Sequence, residues 1–127
     1  MLEAEFQKRE HRHGTRQRPD IILHRPADTL GTPVYQRNIA VFALKRKASP
    51  NKALADFGKM NEMFEELRYL LGIFINIDSE HTQLEFYTGT FRQRVHGFSV
   101  RLAQGGALII HDYWTRGRMR TVEMLPT

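Results

Sequence analysis

The chain has 127 residues, 41% hydrophobic and 26% charged, which suffices for one domain with a real core and is too little for two. No apolar run approaches the ~20 residues of a membrane helix, the charged opening MLEAEFQKRE does not read as a signal peptide, and zero cysteines exclude disulfides and thiolate metal sites, so a cytoplasmic protein is expected. Nineteen Lys+Arg against 14 Asp+Glu leave a charge of +5, gathered at 8–18, 45–47, 92–94 and 116–120, and such clusters attract polyanions, nucleic acid above all.

Residues 2–8 alternate apolar and charged, with Leu2, Ala4 and Phe6 on one side, the period of a half-exposed strand. His11 to Gly14 supplies turn chemistry, and a second strand is expected from about Arg16 to His24, forming an antiparallel hairpin with a basic tip. Two prolines and a glycine make 25–37 a loop. Asn38 to Lys45 (NIAVFALK) is almost continuously apolar, as in a central strand covered on both faces. A helix follows, with Ser49 as N-cap, Pro50 at the first helical position and Gly72 as the stop. Leu54, Phe57, Met60, Phe64, Leu67 and Leu71 recur at three- and four-residue spacing and define its apolar face. Glu62 and Glu66 fall on the solvent side, whereas Asp56 falls within the apolar arc. Residues 72–78 read as another apolar strand, followed by β-like runs at 84–88, 95–102 and 107–113 with a hairpin at Gly105-Gly106. This order predicts an α/β (α+β) domain with a mixed sheet, one main amphipathic helix and a β-rich C-terminal portion. Residues 1–127 form a single domain, with a core over about 1–78 and a β extension over about 79–127.

Two fragments carry chemistry. Arg18-Pro19-Asp20-Ile21-Ile22-Leu23-His24 places an acid at the start of a hydrophobic strand, and Val41-Phe42-Ala43-Leu44-Lys45 is a buried strand ending in lysine. With the helix at 50–71 behind them, they resemble the core of the PD-(D/E)xK, restriction-endonuclease-like nuclease superfamily, over roughly residues 1–78. The resemblance implies phosphodiester hydrolysis of DNA with Mg2+ (or Mn2+), Asp20 as metal ligand, Lys45 as catalytic lysine and Leu44 offering a backbone carbonyl. Arg16, Arg18, Arg46 and Lys47 would then bind nucleic acid. The chemistry explains the spacing. A divalent cation polarises the phosphoryl oxygen and generates hydroxide near neutral pH, hard cations take carboxylate and carbonyl oxygens, and strand residues two apart share a face.

The departure is Ala43, which stands where the family carries its second acid, so the chain as written is expected to be inactive or impaired. Three explanations stay open: an alanine introduced to trap an inactive state, a degenerate site retained for binding, or an acid that has migrated. Asp56 is the better helix candidate for migration, Glu3 and Glu5 are further ones, and Glu62 and Glu66 face the wrong way. The alternative function is a non-catalytic nucleic-acid-binding or dimerisation module on the same fold, and an unrelated basic α+β protein is the third. Family members often begin with a helix before the first strand, and a partner subunit supplying it would make a homodimer. Other polar residues are weaker signals. His11, His13 and His24 read best as loop or hydrogen-bonded histidines. His111-Asp112 closes a strand, and Tyr113, Trp114 and Arg116 are candidates for stacking on bases, although Trp114 also suits the core.

Overall fold

The computed structural model describes residues 3–6 (backbone only), 20–25 and 38–125. Among these, seven strands form one sheet whose spatial order is the chain order: β1 (Glu3–Phe6), β2 (Ile21–His24), β3 (Asn38–Arg46), β4 (Leu71–Ile77), β5 (Val95–Ala103), β6 (Gly106–Thr115) and β7 (Arg118–Met124). Neighbours β1 to β3 are antiparallel, β3 to β5 parallel, and β5 to β7 antiparallel again. Parallel neighbours need a crossover. Helix α1 (Pro50–Leu67) provides the first, and the segment 78–94, with 3₁₀ turns at Leu84–Phe86 and Arg92–Arg94, provides the second. The fold is therefore mixed α+β with one main helix, as expected, and β5–β7 continue the same sheet.

Local chemistry fixes the helix. The Ser49 hydroxyl accepts from the Lys52 amide at 3.3 Å and Pro50 opens the first turn, so two of the start signals act together. The end differs from the expectation. Gly72 is not the stop; the helix finishes at Leu67, with Arg68 in the left-handed region at φ 56 and the Asn38 side chain donating to the Leu67 carbonyl at 2.7 Å. Gly72 lies inside β4, where a Cβ would meet Phe64 Cζ at 2.7 Å and Met60 Sδ at 3.1 Å. Its role is close approach of helix to sheet. The buried face of α1 comprises Ala53, Asp56, Phe57, Met60, Met63 and Phe64. It is rotated from the expected one, leaving Leu54 40% exposed and Leu71 in β4.

Alternation assigns each sheet residue to a face. Val41, Ala43, Phe74, Val95 and Ile22 pack beneath α1 with Leu84 and Tyr87 of the second crossover. Phe57 meets Phe74 at 5.1 Å and Tyr87 at 5.8 Å. The opposite face corrects the expectation that β3 is covered on both sides. Phe42, Leu44, Ile73, Ile75, Phe98 and Val100 are each only half-buried there. In the same surface His96 Nδ1 and His111 Nε2 lie 2.8 Å apart, with Phe98 stacked on His111 at 4.2 Å. Burial first, and then the adjacent His111, lowers the pKa of His96; burial also lowers that of His111, against the opposing pull of Asp112.

Two further readings change. The run 84–88 is a 3₁₀ turn and not a strand, and β7 was not anticipated, because its Arg118, Arg120 and Glu123 break the apolar alternation. Charges of this kind keep an edge strand from pairing with other chains. The hairpin tip at 7–19 and the loop at 26–37 lie outside the described residues, and His11, His13, Arg16 and Arg18 with them.

Gly72→Ala is expected to destabilise the domain by about 1–3 kcal/mol, because the methyl overpacks a site walled by the buried Phe64 ring. Denaturant unfolding measures it, and an unchanged midpoint would show that the helix shifts freely.

Candidate active site

The C-terminal half of β3 is flanked by the start of β2 on one side and the first turns of α1 above. Asp20 sits just before β2, its amide donating to the Phe42 carbonyl at 3.1 Å and its Oδ2 accepting from the Leu44 amide at 2.7 Å. That second bond orients the carboxylate toward β3. Because amide and carbonyl of one strand residue point to the same edge, the Leu44 carbonyl also lies on the β2 side. Ala43 and Lys45 share the helix-facing side of β3, and Asp56 descends from α1 onto the same place. Asp20, Ala43, Lys45, Asp56 and Lys59 line one cavity of about 40 Å³. That is room for two or three waters.

The position of the helix, and so of Asp56, depends on a buried latch at the end of β3. Asn76, fully buried on β4, accepts from the Ala48 amide at 2.8 Å and donates to the Ala48 and His81 carbonyls at 3.4 and 2.8 Å. Gln83 donates to the same Ala48 carbonyl at 3.0 Å. These bonds hold the turn 47–49, and Ser49 begins the helix directly from it.

Asp56 is the unusual member. Its side chain is 8% exposed, and Lys45 Nζ lies 3.6 Å from its Oδ2, an ion-pair distance too long for a hydrogen bond. That oxygen is buried and has no hydrogen-bond partner among the described residues. Burial pushes its pKa above the ordinary 3.8; Lys45 and Lys59 pull the other way, and the nearby Asp20 adds to the rise. Burial outweighs the two lysines because Lys45 is itself 38% solvent-exposed and its charge is screened. A buried acid perturbed by desolvation beside a cleft is a common mark of a functional group.

The other sequence candidates disperse. Arg46 projects to the opposite face of β3 and pairs with Asp78 at 2.6 Å, while Lys47 occupies the following turn at φ 50. His24 lies at the far end of β2, its Nδ1 bonded to the Arg25 carbonyl at 3.0 Å. Asp112 is buried and accepts from the hydroxyls of Thr82 and Thr121, tying the second crossover to the sheet. Tyr113 stacks near His96 and His111, but Trp114 points to the helix side, so alternation separates the two aromatics. Glu3 and Glu5 lie on β1 opposite His24 and Ile22. Lys59 was missed, although its position one turn after Asp56 on the helix was a readable signal.

The donor set fits a hard divalent cation. Asp20, Asp56 and the Leu44 carbonyl supply oxygen, and Mg2+ is often held through one or two carboxylates plus waters. Among the described residues no group of three or more His, Asp or Glu is gathered for a metal. Comparison of the chain with protein-family models, with curated proteins and with solved structures finds no match.

Because its pKa is raised in the folded state, Asp56 contributes most stability below 3.8, and that contribution is lost as pH rises through its folded value. Asp56→Asn is therefore expected to raise the unfolding midpoint at neutral pH, with the gain shrinking under acid conditions. Thermal melts of both proteins across pH measure this; a lower midpoint for the variant at neutral pH would mean that the Lys45 pair outweighs desolvation.

Proposed function

We propose that the cleft is a metal-dependent phosphodiester-cleaving site of the PD-(D/E)xK type, acting on DNA, in which Asp56 on the helix replaces the acid missing at Ala43. The observation that carries this reading is the buried Asp56 carboxylate, ion-paired with Lys45 and with its Oδ2 accepting no hydrogen bond among the described residues, in the same cavity as Asp20, Ala43 and Lys45. The strand arrangement supports it too, since Asp20 and Lys45 come together from neighbouring strands. Asp20 and Asp56 would hold Mg2+ or Mn2+ with the Leu44 carbonyl, and the cation would polarise the phosphoryl oxygen and acidify a bound water. The chain's own groups do the rest. The Leu44 amide fixes Asp20 in one orientation, and the Lys45 ammonium neutralises charge developing on the phosphate. Lys59 adds a second cation at the mouth.

Cleavage of plasmid DNA with Mg2+ or Mn2+ tests the assignment. Asp20→Ala and Asp56→Ala are each expected to lower the rate at least ~100-fold, since metal chemistry contributes several kcal/mol. Ala43→Glu in the Asp56→Ala background should restore cleavage. A chain that cleaves only after Ala43→Glu is the impaired enzyme instead, and full activity in Asp56→Ala removes the helix acid from the mechanism.

A dimerisation role is favoured by a separate observation, the half-exposed apolar face of β2–β6, on which Arg46 at the end of β3, paired with Asp78, is the one Lys, Arg, Asp or Glu among the described strand residues. Parallel strands are ordinarily covered on both faces. Five strands about 4.8 Å apart and ~20 Å long present roughly 500 Å² in projection, of the order of the ~800 Å² each partner gives a stable dimer. A second copy fits because a largely apolar face is self-complementary about a two-fold axis. Sedimentation analysis should show a dimer that Ile75→Asp converts to a folded monomer; a wild-type monomer at all concentrations would remove this reading.

A further inference from the structure

Two of the basic clusters seen in the sequence, 92–94 and 116–120, meet in space at the far end of α1 from Asp56. A groove of about 600 Å³ is lined there by Phe91, Arg92, Gln93, Arg94, Trp114 and Gly117. Among the described residues no carboxylate lines it. Phe64, which packs on Phe91 at 5.5 Å, follows Asp56 by eight residues, or roughly 12 Å along the helix, so the groove and the cleft are separate places.

Its geometry is that of a stacking platform. The Arg92 guanidinium lies 4.8 Å over the Trp114 ring, and Arg94 lies 4.8 Å over Phe91. The two arginines differ in what holds them. Arg94 is anchored, donating from Nη1 to the Tyr69 carbonyl at 3.2 Å, whereas Arg92 is exposed and lies against the indole. A guanidinium held over an aromatic ring leaves its other side open, and a planar cationic group there offers a surface on which an unpaired base stacks. Trp114 Nε1 is buried and has no hydrogen-bond partner among the described residues. Arg116 and Arg118 flank Gly117 in the exposed turn between β6 and β7, adding cations at the rim. The volume is within the range that accepts a nucleotide-sized ligand.

We propose that this groove is a binding site for single-stranded nucleic acid, with an unpaired base stacked on the Arg92–Trp114 pair and the neighbouring phosphates met by the arginines of the groove and its rim. Duplex is disfavoured because its bases are already stacked and a side chain cannot reach their faces. An acidic peptide would satisfy the charge but would leave the aromatic stack unused. The inference rests on the nucleic-acid half of the proposed function and is independent of whether the cleft cleaves.

Trp114 is the single tryptophan of the chain, so its fluorescence reads the groove directly. Titration with oligo-dT of about 12 nucleotides, within the ~4–16 that one such groove covers, is expected to quench it, with affinity falling steeply as salt rises. Anisotropy of the labelled oligonucleotide should show affinity reduced about ten- to a hundredfold by Arg92→Ala and by Trp114→Leu. Arg92 is exposed, so its variant should keep the wild-type circular dichroism. Asp20→Ala should leave this binding unchanged, which separates groove from cleft. Equal affinity for a blunt duplex of the same length, equal quenching by poly-glutamate, or undiminished binding by Arg92→Ala would each overturn the assignment.

Discussion

The arrangement depends on the way one buried amide closes the end of the parallel pair β3 and β4. Asn76 has no solvent to bond, so its oxygen and nitrogen must find partners within the protein, and they find the backbone of Ala48 and His81. The turn after β3 is thereby fastened to the neighbouring strand. Ser49, the next residue, starts the helix, and the direction in which α1 leaves the sheet is set before any side chain of the helix packs. Asp56 reaches the cleft for this reason, one and a half turns into a helix whose origin is pinned.

The close approach at the other end of the crossover complements the latch. Gly72 allows Phe64 and Met60 to rest on β4 itself, and Asn38 caps the Leu67 carbonyl from the start of β3. The helix is thus held at both ends to the same two strands. Held in this way, the Asp56 carboxylate stays buried beside Ala43, facing the Lys45 ammonium at 3.6 Å. The desolvation that raises the pKa of Asp56 is one consequence of that rigidity.

Charge is distributed unevenly over the molecule. The cleft gathers two acids and two lysines into a nearly balanced site, while the far end of the helix gathers arginines without a carboxylate among the lining residues. The remaining face of the sheet is nearly free of charge through β6. These are three different solvation problems on one small domain. Balanced charge around one buried acid suits chemistry on a phosphate, unbalanced exposed charge suits its electrostatic capture, and a largely apolar sheet face suits another protein surface.

The sequence by itself determined the elements whose signals are local. The apolar run at 38–45, the Ser49-Pro50 start, the helical periodicity and the Gly105 turn were legible because alternation, capping and positive φ act within a few residues. It also marked Asp20, Lys45 and the odd inward placement of Asp56. Tertiary structure alone decided that Gly72 serves packing and not termination, since only the approach of Phe64 reveals that need. It decided that one face of the sheet stays half-open, because an apolar strand looks alike whether a helix or a partner covers it. The charge-broken β7 was hidden because it relies on β6 for pairing and not on its own pattern. Arg92 and Trp114 lie 22 positions apart, on a crossover turn and a strand, and no local signal announces that they stack. Such juxtapositions come from strand register, which the whole sheet sets together.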